Sequence, residues 1–252
     1  MSTSAPHPDF LPTAGWENLR LRAVLLRRVR DFFDQHGFLE VETPILSADT
    51  VVDRHLDPLG VCLDGPNSES TGRRLWLQTS PEFGMKRLLA AGARAIFQIT
   101  RAFRHGEQGP LHNVEFTMLE WYRVDDSMAE GMQLLSDLGE ALLERGPAER
   151  ISYREAFVRR VGLDPHAAPA AALRDAARAL GVAAPESLSL ADRDGWLALL
   201  LAERVQPRLG VGRPAILFDY PASQAALARV RPEEPPVAER FELYASGVEL
   251  AN

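Results

Sequence analysis

Cysteine is almost absent: Cys62 is the single one among 252 residues. No internal disulfide can form, and a reducing compartment is expected. Long apolar runs are absent as well, since no stretch approaches the roughly 20 residues that a bilayer span needs. The opening residues, Met1 to Pro12, are polar and proline-rich rather than basic and then apolar, so a soluble, cytoplasmic protein is expected. Positive charge is not in excess. Lys and Arg total 28 against 35 Asp and Glu, a net charge of −7, which argues against a broad nucleic-acid footprint while leaving room for a local basic patch. There is no P-loop, no dinucleotide glycine fingerprint, no Cys/His metal cluster and no recognisable nucleophile–base spacing.

What is present is a 46% apolar chain, long enough for one large domain or two small ones. Leu21, Leu25, Val29, Phe32 and Phe33 recur at helical spacing, with Gly37 as the stop. Phe38 to Thr43 alternates as a strand until Pro44. Arg20, Arg22, Arg27, Arg28 and Arg30 cluster along the helix and read either as a solvated face or as a polyanion contact. Residues 64–73 form a turn-rich loop. Thr79-Ser80-Pro81-Glu82 opens a helix to about Ala91, with Ser80 as cap and Pro81 at the first helical position. Ala95 to Ile99 and Ala102 to Arg104 read as two short strands, and Val114 to Arg123 as a longer alternating one. Helical character follows from Ser127, with capping-box pairs at Ser127/Glu130 and Ser152/Glu155. Strand returns at Ala215 to Asp219, then a short helix from Pro221 to Val230. Last comes a hairpin of Arg240–Ala245 and Val248–Ala251 around Ser246-Gly247.

Three groups of residues can carry chemistry. Arg104, at a strand end facing a glycine-broken polar loop, can grip an α-phosphate bidentately; an arginine there taken alone is most often a surface ion pair, and it is the neighbouring residues that favour the phosphate. Glu107, Asn113 and Phe116 follow, offering an acid, an amide and a flat face for adenine. Glu82, Glu120 and Tyr122 would suit a ligand with two ammonium groups, although Glu120 on an alternating strand could also point into solvent. Glu249, a carboxylate on a late strand, could hold the Mg²⁺ that accompanies ATP. An ATP-dependent enzyme built from these parts would hold two substrates in line rather than work by covalent catalysis.

Several segments together resemble the lysyl-tRNA synthetase branch of the class II aminoacyl-tRNA synthetases. Gly37 to Pro44 resembles motif 1, the helix–strand–proline element of that family's dimer interface. Phe103 to Arg123 resembles motif 2, and Thr79 to Leu89 the amino-acid pocket. Phe218 to Leu227 and Glu239 to Asn252 are similar to the later core, so the likeness runs from about Leu19 to Asn252. Within the branch, Leu119 to Arg123, PASQAAL and ERFELY are similar to the short paralogue, the elongation factor P–lysine ligases. About twenty residues precede the motif 1-like element, where a tRNA-charging relative carries an anticodon-binding barrel.

The resemblance implies an α+β fold, a mainly antiparallel β-sheet flanked by helices. It implies a segment 1–18 that is flexible, a catalytic domain 19–252, and a mostly helical insertion over 127–210. It implies activation of (R)-β-lysine or lysine with ATP and Mg²⁺ as an adenylate, and transfer to a lysine of elongation factor P, with no tRNA and no membrane as partner. A homodimer through Gly37 to Pro44 is implied as well. Ser80, Pro81, Glu82, Glu120 and Tyr122 would bind the diamino acid; Arg104, Glu107, Asn113, Phe116, Glu249 and Leu250 would bind ATP, with Arg104 catalytic. Three positions depart from the family pattern: Gly106 where a glutamate is common, Pro110 for an arginine and Val114 for a proline. Past Asn252 the family continues with another substrate-binding acid and with motif 3, whose arginine clamps ATP. The expectation is therefore a C-terminally truncated chain with very low activity, and an inactive binding remnant or a tRNA synthetase fragment stands as the alternative.

Overall fold

In a computed structural model of the chain, residues 12–50, 56–63 and 73–252 are described. The loop expected over 64–73 lies almost wholly outside them, as does most of the segment 1–18. The chain divides into two units, Met1–Val124 and Asp125–Asn252.

In the first unit, α1 spans Trp16–Gln35 and buries Val29, Phe32 and Phe33. It therefore takes in three residues of the segment expected to be flexible. Its end follows from backbone chemistry. Gly37 turns left-handed at φ 77, His36 Nδ1–H donates to the Phe32 carbonyl at 2.7 Å, and Phe38 N–H donates to Phe33 O at 2.9 Å, so the last carbonyls are satisfied. The strand expected over Phe38 to Thr43 is shorter, β1 at Leu39–Glu40, and lies parallel to a central strand. A small antiparallel sheet comprises β2 (Leu46–Ser47), β3 (Gly60–Leu63) and β4 (Arg73–Leu77) in the order β2-β4-β3. Helix α2 spans Glu82–Ala90.

The two strands expected between Ala95 and Arg104 are one: β5 runs unbroken over Ala95–Phe103, because all nine residues pair with β6 (Glu115–Arg123). The polar Thr100-Arg101 step does not interrupt it, since a ladder partner stands opposite each residue. Register assigns the faces. Phe97 and Trp121 are paired on one side, where Phe33 stacks on Phe97 at 4.6 Å between centroids and lies 5.4 Å from Trp121. The other side carries the pairs Ile96–Tyr122, Gln98–Glu120, Thr100–Met118 and Ala102–Phe116. One face of this sheet is thus an aromatic seat for α1, and the opposite face carries the polar groups of Gln98, Thr100, Glu120 and Tyr122 among apolar neighbours.

In the second unit, α3 (Met128–Leu143) opens with a complete capping box, Ser127 with Glu130. The expected helical region holds α4 (Tyr153–Val161), α5 (Ala170–Ala179) and α6 (Arg193–Leu200), then a π-helical turn Leu201–Val205 and a 3₁₀ turn Gln206–Arg208. It also contains a strand that periodicity did not reveal, β7 (Glu149–Ser152), parallel to β8 (Ala215–Pro221). Four residues are too few to show a period, and their partner lies some 65 positions on. Where a short helix was expected after Pro221 there is only a 3₁₀ turn, Ala222–Gln224, before β9 (Val230–Arg231). β10 (Val237–Ala245) and β11 (Val248–Ala251) form the hairpin; both turn residues, Ser246 (φ 51) and Gly247 (φ 78), are left-handed, as a two-residue hairpin turn requires. The sheet order is β11-β10-β8-β7, with β9 beside β10. Gly131 and Gly139 of α3 approach Phe241 and Leu243 on one face of β10. Tyr153, Phe157, Trp196, Leu197, Leu217 and Tyr220 pack in the core on the helical side. Glu242, 3% exposed, accepts from the phenols of Tyr220 and Tyr244 and from Arg240, so this buried charge is fully partnered.

Candidate active site

The polar face of β5–β6 is assembled from four segments of the first unit. Gln78, just past β4, donates through Nε2 to Thr100 Oγ1 at 3.1 Å and to Arg101 O at 2.8 Å, and its carbonyl accepts from Phe103 N–H. That anchor delivers Ser80 to the sheet. Its hydroxyl donates to Glu120 Oε2 at 2.7 Å and accepts the N–H of Glu82 at 3.0 Å. The helix begins one residue later than the capping pattern indicates, yet Ser80 still satisfies one of its free N–H groups. Tyr122 donates to Glu120 Oε1 at 2.6 Å. Each carboxylate oxygen of Glu120 therefore holds one hydroxyl, and the side chain does not point into solvent.

Burial pushes the Glu120 carboxyl above its ordinary value of 4.5, against the hydrogen bonds from Tyr122 and Ser80, which favour the charged form; the nearby Glu82 carboxylate raises it further, and Lys86 counters. Burial, followed by the Glu120 charge, also drives the Tyr122 phenol far up. Tyr122 is thus a fixed neutral donor whose oxygen keeps a lone pair for a ligand. Glu82 pairs with Lys86 one turn along α2, and Pro81 is buried at the helix entrance.

Arg104 occupies the same neighbourhood. Its Nε donates to Thr79 O at 3.3 Å, its Nη1 lies 3.7 Å from Glu107 Oε1, and its guanidinium sits 5.1 Å over the Phe116 ring. Arg104, Glu107 and Phe116 are therefore brought together, with one face of Phe116 facing the guanidinium. Asn113 is exposed at the base of a loop closed by the Gly109–His112 bridge. Glu249 and Leu250 belong to the second unit, exposed on β11. Glu249 pairs across the hairpin with Tyr244 and accepts from Asn252 Nδ2 at 3.1 Å. Among the described residues there is no group of three or more His, Cys, Asp or Glu able to hold a metal ion, and no helix is long and apolar enough to cross a membrane.

Gln98, Thr43 and Gln78 were not singled out by sequence. Gln98 is 1% exposed, stands opposite Glu120, and accepts from Thr43 Oγ1 at 3.0 Å. A glutamine in the middle of the apolar run Ala95 to Ile99 was the available signal.

The profile of the tRNA synthetases class II (D, K and N) matches residues 9–252. The chain belongs to this family. As a class II chain it is 48% identical over 247 residues to the elongation factor P–(R)-β-lysine ligase of Vibrio vulnificus, covering 97% of this chain and 75% of that protein. The ligase of the same name from Sodalis glossinidius is 46% identical over 252 residues, 100% of this chain and 76% of that protein. That from Erwinia tasmaniensis is 47% identical over 244 residues, covering 97% and 74%. Antiparallel pairing flanked by helices agrees with the class II fold expected. Family membership implies ATP as the activating cosubstrate.

Proposed function

We propose that this chain activates lysine or (R)-β-lysine with ATP and transfers the aminoacyl group to a lysine side chain of elongation factor P. The observation that carries the reading is that Ser80 joins two acidic residues of one site, its hydroxyl donating to Glu120 Oε2 at 2.7 Å and accepting the N–H of Glu82 at 3.0 Å. A diamino acid supplies two positive charges, one for Glu120 and one to take the place of the half-exposed Lys86 ammonium on Glu82. Similarity to three ligases of that name supports the choice of acceptor.

Ser80, Pro81, Glu82, Glu120 and Tyr122 hold the amino acid, whose carboxylate attacks the α-phosphorus of ATP and releases pyrophosphate. Arg104 binds the α-phosphate and stabilises charge developing there, with Glu107, Asn113 and Phe116 around the nucleotide; on the second unit, Glu249 and Leu250 are the ATP-binding candidates that the family resemblance supplies. Glu249 would be the residue to hold Mg²⁺, which when bound would neutralise phosphate charge. The acceptor amine then attacks the adenylate carbonyl and AMP leaves. The reaction is assigned to the cytoplasm, and a homodimer to the Gly37 to Pro44 segment, where Leu39 and Ile45 nearby are exposed at 64% and 38%.

ATP–pyrophosphate exchange tests the reading. Exchange, even slow, should require lysine or β-lysine and fail with norleucine, which lacks the distal ammonium. Labelled amino acid should then move to elongation factor P. Exchange driven by norleucine, or labelling of tRNA instead of the protein, would sink the proposal.

A further inference from the structure

The second unit carries a hollow whose charge opposes that of the chain. It measures about 120 Å³ and is lined by Arg159 and Arg160 of α4, Arg208 of the 3₁₀ turn and Arg213 before β8, against one acid, Glu149. The chain has seven more acidic than basic residues, so four guanidiniums around one cavity create a local field of opposite sign. Two of them have acidic neighbours: Arg159 pairs with Glu155, and Arg213 lies 3.7 Å from Glu149. Arg160 and Arg208 are exposed, and among the described residues neither has an ion-pair or hydrogen-bond partner. The shape is fixed from beneath. Ala156, Val205 and Leu209 line it and belong to the buried core. Gly210 (φ +68) backs so closely on β10 that a Cβ would stand 2.3 Å from Tyr244 O.

We propose that this cavity binds a small, multiply charged phosphate anion of about pyrophosphate size. Planar guanidinium forks match phosphate oxygens two at a time, and they stay charged at every accessible pH, so the site needs no protonation step. The volume is roughly ten times the ~10–15 Å³ that admits one water, which suits a compact anion of several heavy atoms. A nucleic-acid backbone would instead need an extended basic stripe. The site is independent of the function proposed above, because none of its lining residues is among those assigned to the amino acid or to ATP.

Isothermal titration calorimetry with pyrophosphate on the full chain tests the assignment. Arg104→Ala removes the first unit's phosphate-binding arginine and should leave one binding event. Adding Arg160→Ser and Arg208→Ser to that variant should weaken it by at least about tenfold, since each charge-assisted fork is lost, while near-ultraviolet circular dichroism stays unchanged. No measurable binding to Arg104→Ala, or binding that survives the triple change, overturns the proposal. So does a short single-stranded oligonucleotide that binds the Arg104→Ala chain more tightly than pyrophosphate.

Discussion

Tyr122 donates its phenolic proton to Glu120, two positions back on the same face of β6, at 2.6 Å. The bond joins a phenol that burial keeps neutral to a carboxylate that burial discourages from ionising. Tyr122→Phe deletes a hydrogen bond that favours the charged form of Glu120, so the carboxyl should shift further upward. A hydrogen bond to a charged group contributes about 1.5–3 kcal/mol. The KM for lysine in pyrophosphate exchange should therefore rise at least about tenfold with kcat little changed, and the thermal midpoint should fall by a few degrees because the folded chain loses the same bond.

Glu120 links the site to stability in a direction opposite to most acids. Its folded pKa is raised, so the folded chain holds its proton more tightly than the unfolded chain does. The carboxyl's contribution is fully present below the ordinary carboxylate range and is lost as pH rises through the raised folded value. Ionised and without ligand, Glu120 therefore costs stability at neutral pH. Glu120→Gln should unfold at the same or a higher temperature than the parent at pH 7, and the advantage should fade towards pH 4. Lysine-dependent exchange should fall by about 10²-fold, the scale of one lost charged contact. A variant less stable at pH 7 than at pH 4 relative to the parent would contradict this assignment.

Lys86 places an ammonium on Glu82, the kind of group the pocket is proposed to receive. The pair is an i,i+4 contact with the lysine about half exposed. Such pairs contribute about 0.3–0.5 kcal/mol, so an incoming ammonium displaces it at little cost. Lys86→Met should lower the KM for lysine by only about twofold. A tenfold gain in equilibrium dialysis would mean that the internal lysine competes far more strongly than its exposure allows.

Gly84 has no room for a side chain. A Cβ there would lie 2.7 Å from Cβ of Thr43, and Thr43 is tied to the buried Gln98. Gly84→Ala should cost about 1–3 kcal/mol through overpacking, read as a lower urea midpoint with an unchanged m-value. Gly37→Ala would act differently: open space surrounds it, and its penalty would come only from the left-handed backbone.

The parts legible in the sequence are those in which one stretch carries the whole signal. The amphipathic face of α1, the capping box of α3 and the Ser246-Gly247 hairpin are local, and the structure contains each. The grouping of Arg104 with Glu107 and Phe116 was readable for a similar reason, because all lie on or beside β6 and its loop. The parts missed depend on distant partners. β7 exists because β8 supplies a ladder, and β5 is continuous because β6 covers its polar step. Ser80 meets Glu120 across 40 positions, a contact that only the Gln78 anchor explains.

The contact of Gly84 with Thr43 also joins α2 to the segment proposed for dimerisation. Thr43, the last residue but one of the segment proposed as the seam between two protomers, donates to Gln98, which stands directly opposite Glu120. Were two copies to join there as proposed, a shift of that seam would be felt at Glu120, and by reciprocity a bound amine would alter how firmly they hold together. Affinity for lysine would then depend on protein concentration, and the dimer would be most cohesive while working.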